Sequence, residues 1–367
     1  MDNEAEHQEL GPAVGAERRR GRGARSNAAG RYEANAREVF DDGWESAADL
    51  PPFKTTVRED ATRTIITRND SPDISFDRSI NPYRGCEHGC IYCYARPTHA
   101  YLGHSPGLEF ETELYAKPNA AALLEKELAN PRYTPNTIAL GTNTDPYQPI
   151  ERERRITRSI LEVLERTGHP VGIVTKSALV VRDIDILARM AARGLAKVAI
   201  SVTTLDRRLA RAMEPRASTP AKRLEALRQL GDAGIPTAVM VAPIIPALND
   251  SEIEAILQAA SAAGVNEAGY VLLRLPLEIK DLFREWLAEE FPDRANRVIH
   301  LMQSMHGGRD YRAEFGLRQR GSGPYAEQIA LRFRQARKRF GLNERRLPLR
   351  IDLFERPPRE GDQLALL

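Results

Sequence analysis

The chain has no apolar run near the roughly 20 residues that a membrane-spanning helix needs, and its polar, charged N-terminus lacks the apolar core of a signal peptide. No membrane role is expected, and a cytoplasmic location is. Net charge is also missing, since 53 Lys and Arg against 51 Asp and Glu leave +2. No global field therefore steers the protein to nucleic acid or membrane, and any such preference must rest on a local patch. Cysteine is scarce: there are 3, all within one eight-residue stretch. An odd number set so closely is unsuited to disulfides and suited to a metal site. No internal repeat longer than a single β-α unit is present.

What the chain does contain is enough apolar material, 42%, for at least one sizeable core. Residues 1–50 lack apolar periodicity and carry Arg18, Arg19, Arg20 and Arg22, which reads as a disordered basic N-terminal arm, either solvated or in contact with RNA or DNA. Over residues 70–290, short β-branched runs alternate with amphipathic stretches. Strands are expected at 79–83, 137–141, 171–175, 197–202, 237–241 and 269–273. Helices are expected at 119–128, 157–166, 183–193, 221–233, 251–263 and 277–290. Gly234 closes the fourth helix, and Asp250 or Ser251 caps the fifth. The fold class is α/β, a partial (β/α)6 TIM-type barrel. Residues 291–345 read as a helical C-terminal extension, and 346–367, with Pro348, Pro357 and Pro358, as a flexible tail.

Immediately after the first strand the sequence reads NPYRGCEHGCIYCYAR from Asn81 to Arg96. Cys86, Cys90 and Cys93 share one tight loop in which Gly85 and Gly89 ease the curl of the backbone. Thiolate is the ligand type that iron-sulfur clusters select, and an ordinary electron-transfer cluster takes four. With three in the whole chain, one iron is left open to bind something else. The competing reading is a zinc knuckle of three cysteines and one histidine, with His88, His99 or His104 as the fourth ligand; outside that reading, His88 is expected to be an exposed loop residue.

The spacing Cys86-x3-Cys90-x2-Cys93, with Tyr92 before the third cysteine, resembles the signature of the radical S-adenosylmethionine (SAM) superfamily. Together with GTNTDPYQP from Gly141 and TKS from Thr175, it is most similar to the spore photoproduct lyase branch over about residues 70–275. The resemblance implies an enzyme with two cofactors, a 4Fe-4S cluster and SAM. It implies that the open iron chelates SAM, and that one-electron reduction yields a 5'-deoxyadenosyl radical that takes hydrogen from a substrate. A flavodoxin- or ferredoxin-type electron donor is expected as partner. The branch also implies a cysteine outside the cluster to return hydrogen, which this chain lacks. Tyr92, Tyr94 and Tyr147 are the catalytic candidates in its place.

Active sites of such barrels lie at the C-terminal ends of the strands. There, Thr142, Asn143, Thr144 and Asp145 are candidates for the SAM ammonium, or else simply form a turn. Lys176 is the candidate for the SAM carboxylate, or else a surface lysine. Ser201 and Thr203 are placed for the ribose, and Arg216 for a carboxylate. Tyr92 completes the expected cofactor-binding set. The start of Ala242–Asp250 would line the adenine pocket, and its Asn249 and Asp250 would cap the next helix. Finally, 309–346 holds eleven Arg or Lys against four Asp or Glu, with five aromatics interleaved. This reads either as a surface for DNA or RNA, or as a helix with aromatics inward and Arg334, Arg337 and Lys338 in water. The non-enzymatic alternative follows from the first of these: a zinc- or cluster-organised nucleic-acid-binding module without SAM turnover.

Overall fold

The computed structural model describes residues 14–33, 51–344 and 348–358. Six parallel strands form its centre: β1 (Arg78–Ile80), β2 (Ile138–Leu140), β3 (Val171–Thr175), β4 (Ala196–Ser201), β5 (Thr237–Ile244) and β6 (Glu267–Leu272). Each pairs in register with its chain neighbour, so the sheet is wound in one direction and curls into a barrel sector. Intervening helices are α1 (Ala120–Leu128), α2 (Ile156–Arg166), α3 (Ile184–Ala192), α4 (Pro220–Asp232) and α5 (Ile253–Ala262). After β6 comes α6 (Ile279–Glu290). All six strands and six helices stand where the hydrophobic periodicity put them, within a few residues, and Gly234 at φ +76° follows the end of α4. The fifth helix opens differently: Asn249, instead of capping, ties its amide to Thr203 O (2.8 Å) and Pro243 O (3.0 Å).

Alternation along the strands separates two faces. Val171, Ile173, Val198, Ile200, Val239 and Val241 are buried, packing under the helices as period-2 apolar positions do. The alternate positions Gly172, Val174, Ala199, Ala242, Gly269 and Val271 are only half-buried. These small residues line the concave side and leave it open.

The barrel is partial. β1 is bordered by the antiparallel strand Ile66–Arg68. On the outer edge of β6, Leu272 N–H donates to Gln319 O at 2.9 Å. The loop carrying Gln319 also reaches the far edge, where Gly316 N–H (2.6 Å) and Arg318 (2.5 Å) bind the Asp73 carboxylate. It therefore spans the gap between the first and last strands.

Beyond the barrel lie α7 (Pro292–Met305) and α8 (Pro324–Arg339). Phe333 packs 4.6 Å from the Tyr270 ring, while Arg334 and Lys338 are exposed and Arg337 half-buried. Inward aromatics thus account for the pattern in this helix.

Two segments read as loose are docked where they are described. Residues 14–33 of the N-terminal arm lie against α6: Arg31 pairs with Glu278 (2.7 Å), Arg25 with Glu289 (3.2 Å) and Glu290, and Arg19 with Glu289. Of the other arginines of the arm, Arg22 donates to Glu111 O (2.9 Å) and Arg18 lies over the Phe53 ring (4.5 Å). In the tail, Arg350 N–H donates to Gly194 O and Glu355 N–H to Thr167 O, both at 2.9 Å, with Phe354 against Tyr133 and His169. The rest of both segments lies outside the described residues.

Candidate cluster and cofactor site

The cysteine loop follows the short strand Tyr83–Arg84 at the end of β1. Gly85 and Gly89 take positive φ, +73° and +66°. A β-carbon on Gly89 would sit 2.6 Å from Glu111 Oε2, so the turn requires glycine for space as well as for conformation. Beneath it, Glu111 is fully buried. Its carboxylate accepts from Arg96 (2.5 Å) and from the backbone of Gly23 (2.9 Å) and Ala24 (2.8 Å). Arg96 in turn donates to the carbonyl of Cys90 at 2.9 Å. A buried ion pair thus joins the arm to the loop.

The three thiols are free, with Cys86 and Cys90 buried and Cys93 half-buried. Burial pushes Cys86 well up and Cys90 up to about 12, and each of the two also feels Cys93 as a neighbouring negative charge. Bare thiolates cannot persist in such surroundings; a metal's positive charge reverses that preference. The donor set therefore fits a cluster. A zinc knuckle would need one of the three nearby histidines as its fourth ligand. The three histidines are engaged elsewhere. His99 bonds Glu113 O (2.8 Å), His104 bonds the Tyr115 hydroxyl (2.7 Å), and His88 faces Asp145 at 3.3 Å. His88, expected to be an exposed loop residue, is buried because of that carboxylate.

Asp145 is the hub between loop and sheet. Besides His88, it accepts from Thr175 Oγ1 (2.6 Å), Lys176 N (2.8 Å) and Tyr147 N (2.9 Å). Burial opposes its ionisation, but His88 and these donors hold it down at about 2. Asn81, at the end of β1, accepts from the Asn143 and Thr144 amides at 2.9 and 3.3 Å, and its amide meets Thr142 Oγ1 at 3.3 Å. Thr144 itself is buried, donating to Tyr83 O at 3.0 Å. The Thr142–Asp145 turn is thus built from within, leaving the exposed Asn143 and the carbonyl of Thr142 near the mouth.

Tyr92 is buried and donates to Glu214, which also accepts from Thr203 (2.6 Å) and Arg223. Burial, then Glu214, pushes the Tyr92 phenol well above its ordinary value. Arg223 donates to Ser201 O at 3.0 Å, fixing the end of β4. Lys176 reaches over the Tyr92 ring at 5.7 Å. Tyr94 stays 43% exposed and donates to Thr142 O. The structure therefore gathers Cys86, Cys90, Cys93, Tyr92, Tyr94, Lys176, Ser201 and Thr142–Asp145 at one end of the barrel.

Two expected residues take other places: Tyr147 lies apart from this group, whereas Arg216 sits against the cysteine loop, its N–H donating to His88 O at 3.3 Å. Tyr147 is fully buried and donates to Asp183 at 3.1 Å. Arg216 pairs with Glu87 at 3.1 Å, and both Tyr147 and Arg216 border a pocket of about 150 Å³ with His88, Ser177 and Ser218. The residues that pattern reading missed are Glu111, Arg96, Arg223 and Arg274. Only Arg274, just past the last strand, carried a signal, the same strand-end position that singled out Lys176.

The radical SAM superfamily model matches residues 80–260. An uncharacterized protein of Mycobacterium tuberculosis is 38% identical over 230 residues, 62% of this chain and 68% of that one. An uncharacterized protein of Methanocaldococcus jannaschii is 30% identical over 173 residues, 47% of this chain and 62% of that one. Among solved structures, a cysteine-to-serine mutant of spore photoproduct lyase aligns with TM-score 0.55 and 18% identity, covering 85% of this chain and 87% of that one. Another mutant of that lyase, with bound AdoMet and dinucleoside spore photoproduct, aligns with TM-score 0.56 and 18% identity, covering 78% and 80%. These likenesses give the fold. Taken with the curated relatives and the matched family model, they show that the chain belongs to the radical SAM superfamily, enzymes that work with a 4Fe-4S cluster and S-adenosylmethionine.

Proposed function

We propose that Cys86, Cys90 and Cys93 hold the cluster and that SAM binds over it, inside the barrel mouth. With a flavodoxin- or ferredoxin-type donor supplying the electron, the bound pair furnishes methionine and a 5'-deoxyadenosyl radical that takes one hydrogen atom from the substrate. The chain's own residues prepare that step. Lys176 presents its ammonium to the SAM carboxylate, the Thr142 carbonyl and Asn143 stand near the amino group, and Ser201 and Thr203 border the ribose. Tyr92, locked to Glu214, forms a wall behind the loop and excludes water. Tyr94, whose hydroxyl is at the open side, is the candidate to return hydrogen, because the chain has no cysteine outside the loop.

The observation that carries this reading is the placement of the only three cysteines, all unpaired, on one turn at the C-terminal end of the strands. The narrower reading, a carbon-carbon lyase acting on a nucleic-acid lesion, is supported by the fold shared with spore photoproduct lyase and requires Tyr94 in place of a thiol. Anaerobic reconstitution followed by dithionite reduction is the test. Four irons and four sulfides per chain and release of 5'-deoxyadenosine are expected, both lost on Cys→Ser replacement at any of the three positions. An intact cluster that releases none would overturn the proposal.

A further inference from the structure

Two cations stand at the barrel mouth without a hydrogen-bonding or ion-pairing partner among the described residues. One is Lys176. The other is Arg274, two residues past β6, whose guanidinium carbon lies over the ring of Tyr94, 4.3 Å from its centroid. Tyr94 is itself fixed, since it follows Cys93 and its hydroxyl donates to Thr142 O at the end of β2. The stack therefore bridges the mouth from the second strand to the last.

The nearby carboxylates are all committed. Glu214 is held by Arg223 and Thr203, Asp145 by Thr175 and Lys176 N, Asp73 by Gly316 and Arg318, and Glu278 by Arg31. Asp73 also feels the charge of Arg274, but among the described residues no carboxylate hydrogen-bonds or ion-pairs with it. With no hydrogen bond from it to any described residue, the guanidinium keeps its N–H donors, a planar fork shaped for two oxygens of one anion. On the concave wall, small apolar positions such as Ala199, Ala242 and Gly269 stand beside Met240, and the charged Lys197 and Glu267 are paired with each other at 2.5 Å; such a wall can hold a substrate body but not its charge.

SAM accounts for one cation only. It has a single carboxylate, for which Lys176 stands ready, and its sulfonium is positive and would be repelled by the second. Resting on the function proposed above, we infer that Arg274, stacked on Tyr94, is a substrate-binding residue that anchors an oxyanion, a phosphate or a carboxylate, on the molecule that enters the mouth opposite SAM.

The test uses reconstituted protein with SAM bound. Arg274 is labelled with phenylglyoxal, and its modification is followed by peptide mass spectrometry at constant ionic strength. Four probes are added separately: the dinucleotide TpT, its uncharged methylphosphonate counterpart, inorganic phosphate and citrate. Labelling of Arg274 is expected to slow about tenfold with an oxyanion probe and not with the methylphosphonate. Protection by TpT or phosphate identifies a phosphate substrate, and protection by citrate alone a carboxylate. Arg274→Gln is expected to bind the protecting probe about tenfold more weakly, with Arg274→Lys between the two. The inference fails if Arg274 resists labelling without a probe, if no anion protects it beyond chloride, or if Arg274→Gln binds the protecting probe like wild type. Release of 5'-deoxyadenosine from the same preparation is scored separately. Protection without release removes the radical reading and leaves the anion site, and release without protection does the reverse.

Discussion

Gly23 passes so close under the carbonyl of Gly89 that a β-carbon added to it would stand 1.8 Å from that oxygen. The contact presses the N-terminal arm onto the cysteine loop at the residue immediately before Cys90. Gly23→Ala must push the arm away, since the obstacle is backbone and cannot rotate aside. The expected cost is about 1–3 kcal/mol, with faster tryptic cleavage between Arg18 and Arg25. Chelators should also strip iron faster from the reconstituted protein. Unchanged cleavage and iron loss would show that the arm does not shield the loop.

Glu111 closes the same junction from below. Replacing it with Gln leaves Arg96 charged and without its anion in a fully buried position, at an expected cost of about 3–5 kcal/mol. Replacing both, as Glu111→Gln with Arg96→Met, removes the stranded charge and should recover part of the loss. Thermal melting of the two variants separates these outcomes; equal destabilisation would mean that the ion pair is not the source.

How much of this could be read from the chain follows from the range of each interaction. The strand Val171–Thr175 was legible to the residue, because a short β-branched run between turn signals is a local pattern. The cysteine loop was legible for the same reason. The docked arm was not: its composition alone reads as disordered, and what orders it is the row Glu278, Glu285, Glu289 and Glu290, roughly 250 residues further along. His88 was misread because Asp145, which buries it, belongs to the next strand-end loop. Arg274 was passed over since its distinguishing feature, a place over Tyr94 with no hydrogen-bonding or ion-pairing partner among the described residues, depends on surroundings that no window of sequence contains.

His169 gives the fold a pH dependence of known sign. It is buried, with Nδ1–H donating to Pro170 O (3.0 Å) and Nε2 accepting from the Tyr133 hydroxyl (2.7 Å), an arrangement that needs the neutral ring. Burial lowers its pKa to about 4 from an ordinary 6.5. Between those values the unfolded chain binds the extra proton, so this contribution to stability is complete above about pH 6.5 and is lost as pH falls toward 4. The loss amounts to about 2–3 kcal/mol. Denaturant melts from pH 7.5 to 4.5 should show it, and His169→Gln should flatten the profile over that range; a parallel profile in the variant would assign the acid sensitivity to other groups.

On the proposed function, Lys176 allows SAM binding to be separated from cluster binding. Its ammonium has no ion-pair partner among the described residues and lies over Tyr92, while its backbone amide is already bound to Asp145 (2.8 Å). Changing the side chain therefore leaves the loop's own attachments intact. Lys176→Gln removes the charge offered to the SAM carboxylate, and a lost charge-assisted hydrogen bond of about 1.5–3 kcal/mol corresponds to SAM binding weakened by about 10- to 150-fold. Lys176→Arg, which keeps the charge at slightly longer reach, should lose less. Iron and sulfide content should stay at the wild-type level in both variants, so that the defect appears in SAM titrations of the cluster's spectrum. Normal SAM affinity in Lys176→Gln would move the carboxylate site elsewhere, and Arg274 would then be the cation left to hold it.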